Sequence, residues 1–414
     1  MNKFLSTIFA AAISTGVSAA SASDFNNDFT DNTLRLDYQL SADTMSSHVS
    51  LTQLKRIDGW AGRRHSLTTA MPPSRATFTM TDAATGDTLY VATFSSLFLE
   101  WLDTDEAHTT PRSFESTVLA PMPRRAAIGH VTLLNGRLQP IAEMSHPIDP
   151  TDVLIRPVES QYPVQNIHIG GSADEAIDVV FLPEGYTAEQ LPEFFEHCQE
   201  AVDAILSHEP FASLASSFNF RAVMAASQDS GVSVPRLGEW KRTAFGSHFS
   251  TFYSDRYLTS PQVYAINDVA ASAPYEHIII LANTTEYGGG GILNDYTLTA
   301  AGHKLFRPVV VHEFGHSFGG LADEYFYDGD VMEDTYPTDV EPLEPNVTTK
   351  CQFQGKWENL VATGEASLVE GGAYSSKGVW RAAEDCRMRT NTCPAFCPAC
   401  RQALTRLINF YTNR

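Results

Sequence analysis

Polar and apolar residues alternate along the first part of the chain and then stop alternating. Residues 33–40, Thr-Leu-Arg-Leu-Asp-Tyr-Gln-Leu, carry an apolar side chain at every second position, which predicts a strand with one face on a core and the other in water. The same period marks strands at 76–81 and 88–94, separated by a turn at Gly86-Asp87, and at 127–134 ahead of an Asn135-Gly136 turn. Short strands with turns between them predict an antiparallel β-sandwich over residues 23–150. No cluster of titratable side chains with a catalytic spacing occurs there, so a structural or substrate-presenting role is expected.

Between 146 and 162 the periodicity lapses, and Pro147, Pro150 and Pro157 appear among acidic residues. That texture predicts an interdomain linker over 151–165. Residues 176–182 are then apolar apart from Asp178, and Pro183-Glu184-Gly185-Tyr186-Thr187 leads to a helical pattern over 188–206. A second buried strand is expected at 277–281, before the glycine tract 288–291. Strands mixed with helices predict an α/β or α+β domain over 166–414. The glycine tract has no following Lys-Ser/Thr and no Gly-x-Gly-x-x-Gly spacing, so it reads as a close-approach loop or strand edge rather than a phosphate cradle.

Composition narrows the function classes. The 414 residues hold 28 Lys+Arg against 49 Asp+Glu, a formal net charge of -21, which argues against nucleic acid as a partner. Lys3, an apolar stretch over 4–17 and Ala20-Ser21-Ala22 fit an export signal over residues 1–22, so a secreted or periplasmic location is expected. No later apolar run reaches the length of about 18 residues that a membrane-spanning segment needs. Six cysteines, Cys198, Cys351, Cys386, Cys393, Cys397 and Cys400, favour disulfides in an exported chain. The alternative is a structural zinc on Cys393, Cys397 and Cys400 with Cys386 nearby, and the pairing stays open.

The chemistry concentrates in His312-Glu313-Phe314-Gly315-His316. Pro308 suits the first turn of a helix and Gly319-Gly320 suits its end. On that helix His312 and His316 lie one turn apart and reach a common metal, while Glu313 lies about 100° further round, placed to accept a proton from metal-bound water. An open site for water needs a third protein ligand. The diglycine lets the chain fold back, and Asp323 is the preferred ligand, with Glu324 as its rival. Between 323 and 344 the acidic residues include Asp328, Asp330, Glu333 and Asp334. A calcium site is conceivable there, but the spacing lacks a full calcium loop and a solvated acidic loop is favoured.

These residues resemble the active-site helix of the metzincin-like zinc metallopeptidases typified by the immunoglobulin A peptidase family. Segments 177–187, 229–235, 287–291 and 386–389 resemble others of that family's catalytic domain, and 94–101 resembles a segment of its amino-terminal β domain. The resemblance implies an exported zinc endopeptidase with Zn2+ as cofactor, a protein or peptide as substrate, and a metzincin-like fold behind the sandwich. It also implies a methionine turn beneath the metal, matched by Met388. Gly319 stands where the metzincin turn glycine belongs, but Ala322 occupies the usual third-ligand place, and Asp323-Glu324-Tyr325 resembles this family's own solution. Tyr325 is a candidate to orient Asp323 or to stabilise the oxyanion. Two other functions remain open: a secreted binding or adhesion protein with a non-catalytic zinc site, and a zinc amidase or exopeptidase.

Overall fold

The alternating stretches form two four-stranded sheets in a computed structural model that describes residues 23–159 and 161–413. The expected export signal, residues 1–22, lies outside the described residues. The strands are β1 (Phe29–Ala42), β2 (Ser47–Asp58), β3 (Ala76–Asp82), β4 (Thr88–Phe94), β5 (Arg112–Pro123), β6 (Ala127–Leu134), β7 (Pro140–Ile148) and β8 (Arg156–Pro157). One sheet has the order β5-β1-β2-β8 and the other β4-β3-β6-β7. Neighbours run antiparallel except β2 and β8. Leu34, Leu36 and Leu40 of β1 share one buried core with Phe78, Met80 and Val131 of the other sheet. The Tyr38 hydroxyl, 2.8 Å from His146 Nε2, ties the layers together.

The polar face of β1 is covered at its centre. Arg35 and Asp37 are fully buried and bonded to each other at 2.8 Å, and Arg35 also reaches Asp268 at 2.6 Å and the Tyr264 carbonyl at 3.0 Å. Both partners belong to the Val263–Ala270 helix of the second half. Alternation records that two faces differ; here the second face docks on another unit through charge-assisted bonds.

Beyond residue 160 the strands are β9 (Val164–Ile169), β10 (Ile177–Glu184), β11 (Phe218–Val223), β12 (His277–Ala282), β13 (Gly289–Ile292) and β14 (Tyr296–Ala300). They form one sheet in the order β13-β14-β12-β10-β11-β9, with a parallel interior and antiparallel edge pairs. Every residue of β10 and β12 is buried, as expected of parallel strands covered on both faces. Asp178 is tolerated in that run because Arg221 and Asn219 on β11 both donate to it. The Leu191–Ile205, Phe306–Ser317 and Pro398–Thr412 helices share a buried core with Phe181, Phe220 and Ile279 of this sheet. A small sheet of β15 (Val347–Thr348), β16 (Val369–Gly372) and β17 (Ser375–Arg381) completes a mixed α/β architecture. Among the described residues no helix is long and apolar enough to cross a membrane.

The glycine tract is an edge strand pressed against the Phe306–Ser317 helix. A Cβ on Gly291 would stand 2.3 Å from the Glu313 carbonyl oxygen, and one on Gly289 would stand 2.9 Å from Glu313 Oε1. Bare backbone lets β13 lie against the helix that carries the histidines.

Candidate active site

His312 and His316 project from one face of the Phe306–Ser317 helix, with Nε2 atoms 3.1 Å apart. The helix ends in an αL turn: Gly320 is left-handed at φ 58°, its N–H donates to the His316 carbonyl at 3.0 Å, and the Leu321 N–H donates to the Gly315 carbonyl at 3.1 Å. The chain then doubles back and places Asp323 Oδ1 3.0 Å from His312 Nε2 and 3.3 Å from His316 Nε2. The glycine reversal thus supplies the return that a continuous helix forbids.

Glu324 turns the other way. Its Oε1 accepts from Asn346 Nδ2 at 3.0 Å and lies 3.1 Å from Cys400 Sγ. Burial pushes its carboxyl up to about 8. All six cysteines are free thiols; Cys386, Cys397 and Cys400 gather around Glu324, while Cys393 stands apart with Sγ 3.3 Å from the Ala395 carbonyl.

Hydrogen bonds fix which histidine nitrogens face the cage. His312 Nδ1 donates to the Arg387 carbonyl at 3.0 Å and His316 Nδ1 donates to the Leu321 carbonyl at 2.6 Å. Carbonyl oxygens only accept, so each ring keeps its proton on Nδ1 and turns an Nε2 lone pair inward. Asp323 Oδ1 meets those lone pairs with no hydrogen-bond donor of its own, although Tyr374 donates to Oδ2. Three electron-pair donors converging without a proton fit a divalent cation held by two imidazoles and a carboxylate. Without an ion the relief is protonation: burial disfavours it, yet Asp323 lifts His316 to about 9, and the two histidines hold Asp323 well below the carboxylate range despite its burial.

Glu313 lies in the same cleft, and burial raises its carboxyl above the ordinary value against the opposing pull of His312 and His316. The cleft, about 890 Å³, is walled by both halves of the chain, including Arg75 and Glu100 on one side and Tyr287, Gly289 and Tyr325 on the other. Glu100, bonded by the Tyr257 hydroxyl, is pushed up to about 7 by burial. Arg256 reaches the hydroxyls of Tyr325 at 3.3 Å and Tyr327 at 3.2 Å. Met388 is buried below the helix, where a Cβ on Gly315 would stand 2.6 Å from its sulfur, and its carbonyl accepts the Glu324 N–H at 2.8 Å.

Tyr374, the Arg387 carbonyl and Arg256 had no sequence signal, being far along the chain from the helix or acting through the backbone. In the acidic stretch, Arg137 pairs with Asp339 at 3.0 Å and Lys356 with Glu341 at 2.9 Å, while Asp328 and Asp330 are exposed.

Comparison with known proteins puts the chain among the peptidases. It belongs to the IgA peptidase M64 family, whose peptidase sequence model matches residues 166–368 and whose N-terminus model matches residues 24–141. No curated protein is significantly similar to it. Membership implies hydrolysis of a protein or peptide and a metal cofactor.

Proposed function

We propose that the chain is an exported zinc endopeptidase, with a metzincin-like catalytic domain over 166–414, a linker over 151–165 and an N-terminal β-sandwich over 23–150. The observation that carries this reading is the convergence of His312 Nε2, His316 Nε2 and Asp323 Oδ1 without a proton donor beside Glu313. Family membership supports it independently. The leader-like residues 1–22 support a secreted or periplasmic location.

A zinc ion held by these three side chains would supply Lewis-acid polarisation of a water molecule and of the scissile carbonyl. Glu313 takes the proton of the attacking water and delivers it to the leaving amine; the water oxygen joins the carbonyl carbon and the C–N bond breaks. Its raised affinity for a proton suits a group that must accept one and return it. The Arg387 and Leu321 carbonyls hold the two imidazoles in the tautomer that presents Nε2. Tyr374 holds the carboxylate, and Tyr325, whose ring packs 5.2 Å from that of Tyr374, also interacts with Asp323 and shares in orienting it. Met388 supports the helix from below, as the methionine turn of the metzincin-like fold would.

The substrate is a protein or peptide. The test is incubation of the purified chain with a diverse peptide pool, with and without a zinc chelator. Cleavage at internal bonds is expected, abolished by the chelator and reduced at least about a hundredfold in Glu313→Gln while zinc stays bound. Undiminished turnover in Glu313→Gln would remove Glu313 from the mechanism, and metal binding with no cleavage of any peptide would favour the binding-protein reading.

A further inference from the structure

We propose that Cys386, Cys397, Cys400 and Glu324 form a second, closed metal site that holds a structural zinc ion. The four ligand atoms lie within 4.8 Å of one another, and all four residues are buried. Three of the separations lie near the edges of a tetrahedral shell. With Zn–S near 2.3 Å and Zn–O near 2.0 Å, tetrahedral edges are about 3.8 Å between sulfurs and about 3.5 Å between sulfur and oxygen. Cys386 Sγ lies 3.8 Å from Cys400 Sγ, and Glu324 Oε1 lies 3.6 Å from Cys397 Sγ and 3.1 Å from Cys400 Sγ.

The surroundings treat the cluster as anionic. The Cys397 N–H at 3.1 Å and the Met388 N–H at 3.5 Å both donate to Cys386 Sγ, as backbone amides do to a metal-bound thiolate. Cys397 and Cys400 open the Pro398–Thr412 helix, whose N-terminal dipole favours thiolate. Asn346 Nδ2 donates to Glu324 Oε1, but Glu324 Oε2 is buried with no partner. An unpartnered carboxylate oxygen among three sulfurs is costly without a cation. Three thiolates and one carboxylate in a site shut from water select zinc over harder ions, and with four protein ligands they leave no position for a substrate.

Such an ion would act on the cleft through its ligands' neighbours. Glu324 directly follows Asp323, and the Cys386–Met388 segment supplies the Arg387 carbonyl that orients His312. The ion clamps both segments from behind, so its ligands are positioning residues for the histidine cage. The site does not depend on the endopeptidase reading.

The test is X-ray absorption at the zinc edge on the full chain, with metal content measured in parallel. The wild type is expected to bind zinc with sulfur neighbours at about 2.3 Å, to keep that sulfur shell in His316→Ala, and to lose it together with a zinc equivalent in Cys397→Ser/Cys400→Ser. Glu324→Gln should weaken this zinc while leaving the sulfur distances recognisable. Absence of sulfur scatterers from the zinc-loaded wild type, or a Cys386–Cys400 disulfide in its peptide mass map, would overturn the proposal, and neither reading requires a variant to fold.

Discussion

Asp323 and Glu324 are chemically near-identical neighbours that face opposite ways, one to two imidazoles and the other to three thiols. Backbone bonds set the division: the Ala373 N–H donates to the Asp323 carbonyl and the Glu324 N–H to the Met388 carbonyl, both at 2.8 Å. The histidine pair with its glutamate was legible because one helical turn is a fixed distance. The choice between the two carboxylates was not, since a residue beyond a glycine reversal points wherever the strand that receives it dictates. The hydroxyl of Tyr374, which arrives from 51 positions further along, was equally invisible. Tyr374→Phe removes the donor to Asp323 Oδ2 and leaves the ring; the apparent zinc affinity is expected to fall about 10- to 100-fold in a competition titration with a chelating dye. Unchanged affinity would mean that the carboxylate needs no such support.

Among the elements, β12 was read from its apolar run, yet that run begins with a histidine whose surroundings were not legible. His277 is wedged edge-on between Phe318, at 4.9 Å, where the active-site helix ends, and Tyr411, at 5.4 Å, on the C-terminal helix. Its Nε2 has no partner, and burial drives its pKa down from 6.5 to about 3. The folded state therefore holds His277 neutral, whereas the unfolded chain takes up a proton below 6.5. The stability from keeping it neutral is complete above that value and is lost as pH falls towards about 3, by roughly 1.4 kcal/mol per unit. Urea unfolding at pH 6.5 and pH 5 should show His277→Phe losing about 2 kcal/mol less than the wild type. Equal losses would show that the ring is solvated or protonated in the fold.

In the whole molecule, the change of texture from alternating to continuous apolar runs was legible, and the way the two halves join was not. One buried core runs from Leu36 and Phe78 through Val180, Ile280 and Leu298. Lys55 and Arg35 both meet Asp268 at 2.6 Å, the Ser95 N–H donates to the Leu293 carbonyl at 3.0 Å, and Glu100 meets Tyr257 in the wall of the cleft. Such a join differs from a small polar interdomain contact, so calorimetry should record one unfolding transition, with equal calorimetric and van't Hoff enthalpies. Two resolved transitions would mean that the halves are independent bodies.

The proposed function requires that His312, His316 and Asp323 bind one ion beside Glu313. Anomalous diffraction at the zinc edge from crystals of full-length Glu313→Gln tests it most directly. A peak is expected about 2.0–2.2 Å from both Nε2 atoms and from an Asp323 oxygen. An empty cage in zinc-loaded crystals, or a peak there that Asp323 does not touch, would contradict it.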